Sequence, residues 1–172
     1  MRKIGIIAVL SLLVTAFAAV PALSVTPSSV TTTGGLHFCT DAAAPTVEAV
    51  KTGDTAFLTT SGTVCGAGTT AEATLSATAL VTVGCITPSG SNEPKGLQTF
   101  EETTVGSQTF NTRQGRGEFT VTTGEITAPS GGFDCPSRQQ TEVLVSVIFN
   151  DPLLTINAQT GTITATFPDI DP

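Results

Sequence analysis

Four cysteines, one histidine and a few arginines are the residues of this 172-residue chain whose chemistry could define a site. Cys39, Cys65, Cys85 and Cys135 include no pair two residues apart, and His37 is the only imidazole. Structural zinc sites draw on closely spaced Cys and His pairs, so the wide spacing favours disulfides over a metal. Four cysteines allow three pairings. The expected one is Cys39 with Cys65 and Cys85 with Cys135, because each bond then ties neighbouring segments and the second joins the most regular strand to the loop before Val143. Loops of these lengths correspond to roughly 3.5 and 4 kcal/mol of chain entropy removed from the unfolded state. Such bonds need an oxidising compartment. Residues 1–22 supply the means of reaching one: Arg2 and Lys3, an apolar run over 4–20, and a small-residue cleavage site at Ala16-Phe17-Ala18 or Val20-Pro21-Ala22. This is the pattern of a cleaved signal peptide, and the expected location is extracellular or at the cell surface.

Catalytic groupings are hard to assemble from what is left. A serine hydrolase needs a base and an orienting acid beside its nucleophile, yet the one histidine sits after Gly34-Gly35-Leu36 and no Gly-x-Ser-x-Gly elbow exists. Glu101 and Glu102 are adjacent, hence on opposite faces of a strand. Gly115-Arg116-Gly117 has no helix behind it to cradle a phosphate. Asp169 with Asp171, or Asn150 with Asp151, falls short of the six to eight oxygens calcium takes. No catalytic residue, metal ligand or cofactor is therefore expected. The positions singled out for contact with a partner are Asn92 and Lys95, in a long polar loop over 86–96, and Arg113 and Arg116, which share a hairpin tip.

Without residues 1–22, fourteen acidic residues face five basic ones, a formal charge of −9. Such a surface repels nucleic acid and anionic lipid. No later apolar run reaches the roughly 20 residues of a membrane-spanning helix, so no membrane span is expected after signal cleavage. The partner expected is an extracellular protein or surface component, and the chain itself is expected to be a monomer.

Threonine occupies 33 positions, while Trp and Tyr are absent. Thr and Val suit a pleated, half-buried surface. Residues 71–85 alternate without a break, with Ala73, Leu75, Ala77, Ala79, Val81, Val83 and Cys85 on one parity, seven repeats of period two, and Glu72, Thr74, Ser76, Thr78 and Thr82 on the other. That is a strand with one face on a core, long enough that a bulge near Leu80 is expected. Further strands are expected over 46–51, 55–60, 97–104, 107–112, 118–123 and 141–149, with a hairpin joining 153–157 to 162–167. In 141–149, Val143, Val145, Val147 and Phe149 share a parity, and the partly apolar second parity predicts a central strand covered on both faces. Turn chemistry stands at residues 51–54, at Val105-Gly106 and at 114–117, and residues 129–138 form a second long loop. About eight such strands with no crossover helix predict an all-β, antiparallel immunoglobulin-like β-sandwich with two disulfides, a jelly roll being the alternative. Residues 1–22 are the signal peptide, 23–38 a flexible N-terminal arm or weak first strand, and 39–172 a single domain.

The run Cys85-Ile86-Thr87-Pro88-Ser89-Gly90-Ser91-Asn92-Glu93-Pro94-Lys95-Gly96, after an Ala/Thr/Val strand and ahead of Cys135-Pro136, resembles a group of small uncharacterised exported proteins of actinobacteria. The likeness covers residues 71–167, with Lys95 where a second proline is more usual. It implies an immunoglobulin-like sandwich with a Cys85–Cys135 bond and carries no activity. The expected role is a non-enzymatic secreted or cell-surface binding module. One alternative is a carrier of a small apolar ligand, since the chain is similar in size, acidity and export to the actinobacterial apoproteins that shelter enediyne chromophores. Another is a secreted protease inhibitor or hydrolase.

Overall fold

The computed structural model describes residues 23–87, 94–128, 135–136 and 140–172. Among them there is no helix. Eleven strands run in chain order as β1 (Leu23–Val25), β2 (Ser29–Gly34), β3 (His37–Phe38), β4 (Thr46–Thr52), β5 (Thr55–Cys65), β6 (Thr70–Ile86), β7 (Lys95–Asn111), β8 (Gly117–Thr122), β9 (Ile126–Thr127), β10 (Thr141–Ala158) and β11 (Gly161–Thr166). Five of them, in the order β2-β11-β10-β6-β7, make one antiparallel sheet, and the other six, centred on β5, make the second. Residues 59–61 of β5 pair at once with 46–48 and with 120–122, so β4 and β8 lie on opposite sides of β5. β1 extends the β4 side, pairing over Leu23 to Val25. Residues 23–38, expected as an arm or weak strand, thus supply three strands divided between the two sheets.

The alternation expected of residues 71–85 holds along the whole of β6, whose odd-numbered positions from Ala71 to Cys85 are buried. Those from Ala71 to Val83 meet Leu58 and Val64 of β5, Phe119 and Val121 of β8, Leu154 and Ile156 of β10, and Ile163 and Ala165 of β11 in one apolar cluster. The outward parity explains the threonines. Thr31, Thr164, Thr155, Thr74 and Ser107 stand opposite one another in a single row across the five-stranded sheet. β-branched side chains pack well on a pleated surface, and hydroxyls keep that row wet.

Three local expectations are corrected. The bulge foreseen near Leu80 of β6 lies in its partner: β10 takes an extra residue between Leu144 and Ser146 and another between Asn150 and Leu153. The first reverses parity, so Leu144, not Val143 or Val145, is buried beside Val147 and Phe149. Backbone groups released there are taken up by the β4–β5 turn, where Lys51 Nζ donates to Val145 O (3.2 Å) and Leu144 N donates to Asp54 Oδ1 (3.1 Å). The second bulge holds Asp151 at φ 48° and fuses 141–149 with 153–157 into one strand. β10 is central, between β11 and β6, but its outer parity is half-buried and not covered.

The third correction concerns Val105-Gly106, which is no turn: β7 runs unbroken from Lys95 to Asn111. A Cβ on Gly106 would lie 1.9 Å from Thr122 O. The glycine is there because two backbones touch, a use of glycine that looks the same in sequence as a turn. Around it Gly124 N donates to Val105 O (3.2 Å), Thr104 Oγ1 to Gly124 O (2.7 Å) and Thr120 N to Gln108 Oε1 (2.8 Å). These bonds join the β7 edge to the β8 segment and close that side of the sandwich. Gly106→Ala is expected to cost about 3 kcal/mol, the upper end of overpacking penalties, since the obstructing atom is backbone. A turn glycine at negative φ would tolerate alanine, so chemical denaturation of this variant separates the two readings.

Candidate functional site

The arginines expected to make contact sit on the β7–β8 turn. Gln114 and Gly115 have φ of 54° and 77°, the paired positive values of a type I′ hairpin. Arg113 N donates to Arg116 O (2.8 Å) and Arg116 N to Arg113 O (3.1 Å), closing the turn. The tip is also pinned from beneath. Ala67 N donates to Gly115 O (3.0 Å), Thr112 N to Thr69 O (2.9 Å), and Thr112 Oγ1 to Ala67 O (3.0 Å) and Gly68 O (2.5 Å). Two guanidinium groups are thus carried on a backbone with little freedom, beside a groove of about 500 Å³ lined by Asn111, Thr112, Gln114 and Glu118.

The two arginines differ in their partners. Arg116 Nη1 lies 2.8 Å from both carboxylate oxygens of Asp41, tying the turn to the loop after Cys39. Arg113 is exposed and makes no ion pair among the described residues. The hydrogen bond from Arg116, aided by its charge, holds the Asp41 carboxyl below its usual value. A carboxylate whose folded pKa is depressed stabilises above the unfolded pKa, and that stabilisation is lost as pH falls through the folded value. The Arg116–Asp41 contact should therefore persist at neutral pH and release only below the ordinary carboxylate range near about 4. Both side chains are well exposed, 44% and 68%, so solvent screens the pair and the stability change is small. An NMR titration of Asp41 checks this, with a midpoint below that of free aspartate expected and a return toward normal in Arg116→Ala.

Cys39 and Cys65 are bonded at this same end, with Cα atoms 5.1 Å apart, as are Cys85 and Cys135 at 5.8 Å. Cys39, Asp41 and Cys65 bring potential ligand atoms together, but both sulfurs are consumed in the bond and a disulfide offers no thiolate to a metal. His37 is exposed, and its Nδ1 donates to Gly35 O (3.0 Å), a local bond, and it pairs with no acid among the described residues. Asp151 N donates to Asp169 Oδ1 (3.0 Å), so the two acidic segments considered separately for calcium are neighbours, and one carboxylate oxygen serves the backbone.

Of the contact positions, Lys95 and the two arginines do not form one surface. Lys95 begins β7 and pairs with Cys85, whereas Arg113 follows its end. The 17 residues of β7 between them span roughly 55 Å. Asn92 lies outside the described residues, as do most of the loop over 86–96 and all of 129–138 except Cys135 and Pro136. Asp41 was missed in sequence because its link to Arg116 spans 75 residues. No protein family, curated protein or solved structure matches the chain.

Proposed function

We propose that the chain is a non-enzymatic, exported binding module built on an immunoglobulin-like sandwich, and that its β7–β8 tip docks on an acidic site of an extracellular protein or surface component. The carrying observation is Arg113: an exposed cation without an ion pair among the described residues, on a turn held by four main-chain hydrogen bonds, in a chain with net charge −7. Rigid tips between strands are where such scaffolds hold their contact residues, and a preorganised guanidinium suits bidentate recognition of carboxylate or phosphate. Two disulfides accord with a protein that works outside the reducing cytoplasm.

The carrier reading has less support. Grooves of about 380 to 500 Å³ on the surface are lined about equally by apolar and polar groups, the polar ones including Glu72, Thr109, Asn157, Gln159 and Arg113, whereas pockets for apolar ligands are predominantly apolar. The test is affinity capture from the host's envelope and medium with the wild-type protein, Arg113→Glu and a Lys95→Glu control. A partner retained by wild type and the control, released by about 0.5 M salt and lost at least tenfold in Arg113→Glu is expected. A partner indifferent to Arg113 would refute the tip as the docking point.

A further inference from the structure

The two sides of the sandwich are built differently. One is closed by the bonds between β7 and the β8 segment. At the other, β1 ends one sheet and β2 ends the other, with only residues 26–28 between them. All six residues of β2 are exposed. Sheet edges invite pairing, and proteins that avoid it place charges, prolines or bulges there. β7, the opposite edge of the same sheet, carries exposed Glu101 and Glu102. β2 carries none of these devices. Residues 23–36 contain no charged side chain at all, within a chain of net charge −7, and two of its exposed large apolar residues, Leu23 (52%) and Val30 (47%), stand on this side.

The register defines which backbone groups are free. Gly35 N donates to Thr160 O, continuing a ladder in which Thr33 faces Thr162 and Thr31 faces Thr164. In an antiparallel ladder every second residue turns its N–H and C=O toward the same neighbour, so Val30 and Thr32 present theirs outward. We propose that β2 pairs antiparallel with β2 of a second copy about a two-fold axis through Thr31. Val30 of each copy then stands opposite Thr32 of the other, making four main-chain hydrogen bonds, and the two five-stranded sheets become one of ten strands. Charge selects this occupant: a protein repelling its own copies elsewhere meets itself here over a neutral strip. The pairing is independent of the Arg113 tip and replaces the monomer expected from sequence. A six-residue strand gives an interface at the small, weak end of the range, so a reversible dimer is expected.

Sedimentation velocity of the purified protein from about 1 µM to 1 mM should show a sedimentation coefficient rising to that of a dimer. Thr31→Glu puts two carboxylates face to face across the axis and should weaken association at least tenfold, while Val105→Glu on the opposite edge should leave it unchanged. Two Thr31 Cα atoms in a non-hydrogen-bonded pair would be about 4.5 Å apart, within disulfide reach. Thr31→Cys should therefore cross-link into a dimer on a non-reducing gel, and Thr33→Cys should not. The cross-linking holds the proposal to account even if Thr31→Glu misfolds. A monomer throughout the concentration range, association indifferent to Thr31→Glu in a folded variant, or equal cross-linking from both cysteines would overturn it.

Discussion

Phe149→Ala is expected to lower the free energy of unfolding by about 3–5 kcal/mol, the range for deleting a buried phenyl ring. Phe149 has no exposed surface and heads the fully buried side chains by volume. Its register partner on β6 is Ala79, and Ala77 lies one position further along the same buried face. Large faces small across the strand pair, so the ring fills space that the alanines leave. Alanine has no torsion with which to move into a hole, and the cavity would persist largely unrelaxed. The backbone at this position also holds the C-terminal segment, since Phe149 N donates to Ile170 O (2.9 Å) and Ile170 N to Phe149 O (3.0 Å). Those bonds survive truncation of the side chain. Urea unfolding should show a lower midpoint with an unchanged slope, and Phe149→Leu should recover most of the loss. A cost below about 1 kcal/mol would mean that the two sheets close onto the gap.

Replacing Cys85 and Cys135 together by serine should cost up to about 4 kcal/mol, on the entropy of a closed loop of 50 residues. Cys85 is buried near the end of β6, opposite Glu142 at the start of β10. The bond closes the sandwich end furthest from the Arg113 tip, where β6, β7 and β10 begin or finish. The equivalent change at Cys39 and Cys65 opens a loop of 26 residues and should cost less, roughly 3.5 kcal/mol at most. It acts beside Asp41, however, and so should disturb the tip more. Guanidinium unfolding gives both stabilities, and the Arg116–Asp41 contact followed by NMR distinguishes them: it should persist in the Cys85/Cys135 variant and weaken in the Cys39/Cys65 variant. Equal effects at the tip would show that neither bond acts locally.

Much of this architecture was legible in the residues because strand alternation is a local property. The seven-fold repeat in β6, the paired Phe119 and Val121 of β8 and the glycine turns at Gly53 and Gly115 each depend on a few neighbours in the chain. The expected pairing of Cys39 with Cys65 and Cys85 with Cys135 agrees with the bonds formed.

Tertiary structure decided what depends on a partner strand. The chain's composition and alternation specified two layers of short-period strands, polar outside and small aliphatic within. They did not specify that Val145 would bulge and turn Leu144 inward, because a bulge is a mismatch between two strands and belongs to neither alone. Nor did they distinguish Gly106 from a turn glycine, since the obstructing carbonyl of Thr122 comes from another sheet. The separation of Lys95 from Arg113, and the meeting of Asp41 with Arg116, likewise followed from which strand ends lie together. Side-chain period is written residue by residue, whereas register, closure and the neighbourhood of a site arise only when distant segments are packed against one another.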